Sequence, residues 1–199
     1  MVMAQGKRAS LTADDWTRAG LEALAQGGLT AVAVEPLAKA LGTTKGSFYW
    51  HFADRNDLIA AALARWERRD TELVIAAAES EDDATTRLRN LLRLAFGSVQ
   101  TGSAPGGGSV ELALQASAAH PLVAPVLARV TERRLAYLTG LFTELGLSPA
   151  KARDRGLLAY TAFLGHAQLV HATPDCLPRG RAFATHVQRV VDALVRDED

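Results

Sequence analysis

The chain has 199 residues, 48% hydrophobic and 22% charged, enough apolar material for a substantial core and too much for a disordered chain. Lys+Arg and Asp+Glu both number 22, so the net charge is zero; this excludes a uniformly basic nucleic-acid coat but not a DNA reader with a small local patch. A single cysteine, Cys176, excludes an intramolecular disulfide and a Cys-rich zinc module.

Lys7 and Arg8 are not followed by the apolar run of a secretory signal, and no apolar stretch reaches the length of a membrane span, so the expected compartment is the cytoplasm. Ala and Leu abound and β-branched residues do not alternate with polar ones, which predicts an all-α fold of about nine helices. The first, Thr12 to Gln26, opens on a capping hydroxyl followed by Asp14 and Asp15 and closes at Gly27-Gly28. Two short helices come next, Val34–Leu41 and Thr44–Trp50, separated by Gly42-Thr43. Asp54 to Asp57 then caps a long helix from Leu58 to about Glu79. Beyond the acidic break at Glu79–Asp83, Leu88, Leu91, Leu92, Ala95, Phe96 and Val99 recur every three or four residues along a helix from Ala84 to Gln100. The stretch Gly102–Gly108 reads as a connector: it lacks the Lys-Ser/Thr of a phosphate-binding loop. Further helices are expected at Ser109–Ala119, from Pro121 to Leu145, from Ser148-Pro149 to Ala172 and over Gly180–Arg196; the tail Asp197–Asp199 is expected to fray.

The pair Val34–Leu41 and Thr44–Trp50 has helix-turn-helix spacing, with Gly42 suited to the turn. Val34, Leu37, Ala38 and Leu41 supply an inner face, Phe48 and Trp50 are expected to pack the head, and Phe52 anchors the chain just beyond the second helix. The opposite face presents Thr44, Lys45, Gly46, Ser47 and Tyr49: donors, with a small residue that lets a backbone approach. Lys45 can reach a guanine edge or a phosphate. Ser47, Tyr49 and His51 suit phosphate oxygens, and Arg55 stands beside helix-end amides that attract anions.

The run Leu37-Ala38-Lys39-Ala40-Leu41-Gly42-Thr43-Thr44-Lys45-Gly46-Ser47-Phe48-Tyr49-Trp50-His51-Phe52, then Arg55-Asn56-Asp57-Leu58, resembles the signature of TetR-family transcriptional regulators. The resemblance covers about the first 60 residues. It implies a helix-turn-helix DNA-binding domain over 1–56 and a ligand-binding and dimerisation domain over 57–199. It implies a homodimer on a palindromic double-stranded operator, usually repressing, whose last two long helices form a four-helix bundle. It also implies release of DNA when a small-molecule effector moves the helix that begins near Leu58. Carried over by position, Thr44, Lys45, Gly46, Ser47, Tyr49, His51 and Arg55 face the DNA. The chain departs from the pattern at Ala33, where a capping hydroxyl is usual, and at Glu35, where Arg is common; Lys7 and Arg8 on an N-terminal arm could compensate.

Candidate pocket residues combine apolar bodies with a few polar tips: Trp66, Leu92, Phe96, Leu112, Gln115, Tyr137, Leu141, Phe142, Phe163 and His166. They imply a largely apolar effector with one hydrogen-bonding group. Arg93, Arg133 and Arg134 read as solvated, or as partners of an acidic ligand. Small residues punctuate the penultimate helix, so Gly156, Ala159, Phe163 and Gly165, with Val187 and Val191 of the last helix, are expected at the dimer interface. His166 and His171 are five apart and do not share a helix face, so no metal site and no cofactor is expected, and no nucleophile elbow or phosphate loop suggests an enzyme. The alternatives are a small-molecule binding protein with a weakened DNA-binding head, or an activator.

Overall fold

The computed structural model describes residues 11–101 and 107–196; Lys7, Arg8, most of the glycine-rich connector and the acidic tail lie outside them. Among the described residues the fold is all-α, with no strand. Helix α1 (Ala13–Ala31) starts on a reciprocal capping box: Thr12 Oγ1 accepts from the Asp15 amide, and the Asp15 carboxylate accepts from the Thr12 amide at 2.9 Å. Its regular part ends where expected, at Gly27 and Gly28. Gly28 has φ +67, a left-handed conformation that side chains resist, and one further turn continues to Ala31.

Helix α2 (Val34–Ala40) and α3 (Lys45–Phe48) form the helix-turn-helix, with Gly42 turning the chain at φ +66. Ala33 stands at the N-cap of α2 with no side-chain cap, as its identity dictates. Helix α3 is shorter at its C-terminal end than its spacing suggests, so Tyr49 and Trp50 lie in the turn beyond it.

Helix α4 (Arg55–Glu67), capped by Asp54 on the Asp57 amide, runs through a π-helical turn (Arg68–Glu72) into α5 (Leu73–Ala78). With these taken as one continuous helix, the described residues form nine α-helices, and the π-turn lies in the middle of the long helix expected from Leu58 to Glu79. Asp83 caps α6 (Ala84–Thr101) through the Thr86 amide. Helix α7 spans Gly107–Ala116, starting inside the stretch read as connector. Then come α8 (Ala124–Glu144), α9 (Pro149–Ala172), which Ser148 caps, a short 3₁₀ turn (Pro174–Cys176) and α10 (Arg181–Val195).

Two apolar clusters hold the molecule together. The first joins Trp16, Leu24, Leu37, Phe48 and Phe52 of the head to Leu58, Ile59, Leu63 and Trp66 of α4, and to Val110, Leu114, Val123, Leu127 and Val130 of the body. The second lies within the body, where α6, α8, α9 and α10 enclose Leu88, Phe96, Leu141, Phe142, Tyr160 and Val191. Helix α4 is therefore built into the head's core at one end and leads to the body's interior at the other.

Candidate DNA-binding face and ligand cavity

Phe48 is the inward anchor of the recognition helix. It is fully buried, with Trp16 edge-on at 5.3 Å and Phe52 stacked at 5.6 Å. Thr44, Lys45, Gly46 and Tyr49 are exposed on the outer side, and Ser47 and His51 are half-buried. The structure thus brings six of the seven expected DNA-facing residues to one end of the head. Arg55 goes elsewhere. Its Nε donates to the Val32 carbonyl at 2.6 Å and its Nη2 to that of Leu29, satisfying carbonyls freed where α1 ends. It ties α4 to α1.

Trp50 is a correction. Its aromatic character predicts packing in the head, yet it is 87% exposed beside Tyr49. Phe48 and Phe52, four apart, fill the inward direction, and a residue midway between them points outward. That spacing is present in the sequence. A bare indole next to the recognition helix adds a planar donor to the outer face.

Lys45 does not stand alone. Its Nζ donates to Glu35 Oε1 at 3.1 Å across the two helices, and this carboxylate holds the lysine above its ordinary pKa. Both side chains are exposed, so the pair is easily exchanged for a phosphate or a base edge.

A cavity of about 190 Å³ lies in the body. Its apolar wall comes from Val74, Ile75, Leu91, Leu92, Ala95, Val99, Leu138, Ala159 and Phe163, with the side of Tyr137. The π-turn supplies Arg69, Asp70 and Thr71, while Glu111 and Arg134 complete the wall from α7 and α8. Leu92, Tyr137 and Phe163 of the expected pocket residues line it; the others do not. Leu141 and Phe142 are fully buried in the body's core. Trp66 belongs to the first cluster and covers the back of the Arg134 guanidinium at 5.4 Å. Gln115 is exposed and donates to Glu111 at 3.2 Å, and Leu112 is half-buried outside the wall. Arg134 and Glu111 escape a sequence reading because the hydrogen bonds of Arg134 join three separate helical segments.

Arg134, read as solvated, is nearly buried instead. It pairs with Glu111 at 2.8 Å, donates to Thr71 Oγ1 at 3.0 Å and to the Asp70 carbonyl at 3.4 Å, and faces the rings of Trp66, Tyr160 and Phe163. Arg133 reaches Glu72 and the face of Tyr137, and Arg93 is exposed.

Phe96 and His166 stack on each other at 4.8 Å outside the cavity, with Phe183 and His186 of α10 beyond. His166 Nε2 is buried without a hydrogen-bond partner. Burial first, and then the charge of His186, holds its pKa below the ordinary 6.5. The unfolded chain therefore takes up the proton more readily than the folded one. The contribution of His166 to stability is complete above 6.5 and is lost as the pH falls from there through the depressed folded value. Urea midpoints should drop between about pH 7 and about pH 5, and His166→Phe should flatten that acid limb. An unchanged limb in the variant would assign the loss to other groups.

The expected dimer residues also divide. Gly156 serves the protomer's own packing: a Cβ there would lie 3.2 Å from Thr139 Oγ1 and 3.3 Å from the Thr139 amide nitrogen, so its absence lets α9 approach α8. Ala159, Val187 and Val191 are buried in the same core, and Phe163 lines the cavity. Gly165 is exposed, with open space where its Cβ would be. The apolar groups that α9 leaves uncovered are Leu157, Leu158 and Leu169, each 44–51% exposed.

Among the described residues no group of three or more His, Cys, Asp or Glu side chains is arranged to hold a metal ion, and no helix is long and apolar enough to cross a membrane. Cys176 is exposed.

The architecture is a helix-turn-helix head joined to a helical body that holds a cavity. Residues 17–62, most of the head, match the family model of bacterial regulatory proteins, tetR family. No curated protein matches the chain by sequence. The fold is similar to a transcriptional regulator from Rhodococcus sp. Rha1 (18% identity, 93% of this chain and 94% of that one, TM-score 0.75). It is similar to a TetR-family regulator from Agrobacterium tumefaciens (16%, 91% and 96%, TM-score 0.75). It is also similar to the regulator FadR from Bacillus subtilis in complex with stearoyl-CoA (18%, 92% and 98%, TM-score 0.70). The chain as a whole thus has the fold of these transcriptional regulators.

Proposed function

We propose that the chain is a ligand-responsive, homodimeric repressor in the cytoplasm, which binds a palindromic operator through residues 1–56 and is released by a small, largely apolar effector held by residues 57–199. The observation that carries this reading is the π-turn. Arg69, Asp70 and Thr71 line the cavity and sit on the same run of helix as Leu58, Ile59 and Leu63, which form part of the head's core. A ligand that favours another form of this turn changes the inclination of α4, and with it the position of α3. Two recognition helices meet successive major grooves only when about 34–36 Å apart. The ligand shifts that equilibrium by its differential affinity for the two forms and by no more.

Incubating the protein with sheared DNA from its source and sequencing what is retained should yield a two-half-site palindrome. No enrichment from a folded dimer would count against the reading. On the recovered site, Lys45→Ala should weaken binding about tenfold or more and relax the preference at one base pair of each half-site. Tyr49→Phe and His51→Ala should weaken all sequences alike, as phosphate contacts do. Unchanged affinity and sequence preference in Lys45→Ala would remove that residue from the recognition surface.

The Glu35–Lys45 pair and the uncapped Ala33 favour a second reading, a small-molecule binding protein whose head binds DNA weakly. The two differ in salt dependence. A DNA reader loses affinity steeply between low and moderate salt as counterions are released, and a weakened head shows little affinity to lose.

A further inference from the structure

We propose that the body cavity selects an uncharged, largely apolar ligand about the size of a substituted benzene ring, and rejects carboxylates and coenzyme A thioesters; this rests on reading the cavity as the effector site. The cavity measures about 190 Å³. An apolar cavity of about 150 Å³ accepts benzene, so this one has room for a single ring with one or two small substituents.

Charge in the wall is balanced before any ligand arrives. The cations there are Arg69 and Arg134. Asp70 lies 2.8 Å from Arg69, and Glu111 lies 2.8 Å from Arg134. An anion entering the cavity must displace one of these carboxylates or remain unpaired among mostly apolar side chains, and both are costly. Of the hydroxyls of the lining residues, that of Tyr137 is buried without a hydrogen-bond partner, and the other three are engaged. Thr71 Oγ1 accepts from Arg134, Ser98 donates to the Ala95 carbonyl at 2.9 Å, and the Tyr160 hydroxyl lies 3.4 Å from that of Thr131. The ligand therefore gains chiefly by burying apolar surface.

Calorimetric titration of the full-length protein, without DNA, tests this with probes that share one ring. Toluene and p-cresol are compared with p-toluate at about pH 7.5, where its carboxyl is ionised, and with isovaleryl coenzyme A. The neutral probes should bind at least about tenfold more tightly than p-toluate, and the thioester should show no saturable binding. Ala95→Phe, which fills the cavity, should abolish binding of p-cresol. Glu111→Gln keeps the side chain's shape but withdraws the counter-charge from Arg134, and should narrow or reverse the preference against p-toluate. Equal or tighter binding of p-toluate or of the thioester by the unmodified protein overturns the proposal, and so does the absence of binding by either neutral probe. DNA retention by the unliganded protein is a separate measurement, so a failed ligand class and a failed regulator reading are told apart.

Discussion

Arg134→Ala is expected to lower the stability of the protein by about 3–5 kcal/mol, among the largest losses from one substitution. The reason is the charge left behind. Glu111 is 2% exposed, and its carboxylate would lose its counter-ion in a region where water cannot replace it. The π-turn would lose two hydrogen bonds at once, from Thr71 Oγ1 and the Asp70 carbonyl. The rings of Trp66, Tyr160 and Phe163 would lose the guanidinium that they enclose. For a chain of this length the loss corresponds to a fall in Tm of about 6–20 °C.

A control is built into the same helix. Arg129 and Glu67 also bond at 2.6 Å, but Arg129 is 57% exposed, and Arg129→Ala should cost at most about 1 kcal/mol. The double substitution Arg134→Met with Glu111→Leu removes both charges and should recover most of the loss, because an apolar pair of similar volume needs no desolvation. Denaturant melts of the four proteins check this. Equal small losses for Arg134→Ala and Arg129→Ala would mean that the inner pair is solvated.

The features legible in the sequence are local. The Thr12–Asp15 box, the Gly27-Gly28 stop, the Gly42 turn and the Asp54 cap are each specified within a few residues, and each lies where its side-chain chemistry puts it. The exposed face of α3 is legible for the same reason, since four residues of helix fix which side chains oppose Phe48. The cavity is not. Three-and-four spacing identifies the most apolar face of a helix, and that face fills the core, as Phe96, Leu141 and Phe142 do. A cavity forms instead at the margin of such faces, where Ala95, Tyr137 and Phe163 are only half-buried. Arg134 meets Glu111 across 23 positions and Thr71 across 63, and no periodicity within one helix predicts such a meeting. The small residues of α9 carry a real signal of close approach, but Gly156 directs it at α8 of the same protomer.

Leu157→Asp combined with Leu158→Asp is expected to convert a dimer into monomers and to reduce operator affinity by about 100-fold or more. Leu158, Thr161, Gly165 and Leu169 recur at helical spacing along α9, all exposed, with Leu157 beside them. Gly165 leaves a gap in this stripe into which a second helix can settle, as nothing within 4 Å occupies the space of a Cβ there. Leucines half-exposed at one stripe cost free energy in water that a second copy of the stripe recovers. A two-fold interface then presents the same residues from both protomers, so the two Asp pairs together place four carboxylates in one apolar seam. A monomer reaches a single half-site and loses the second set of contacts, which separate specific from non-specific binding. Sedimentation velocity should show the shift in mass at micromolar protein, and a duplex carrying one half-site should bind the variant as well as the full palindrome does. Ala136→Asp, on the exposed side of α8, should change neither quantity. A doubly substituted protein that remains dimeric would move the interface off α9, and the four-helix seam with it.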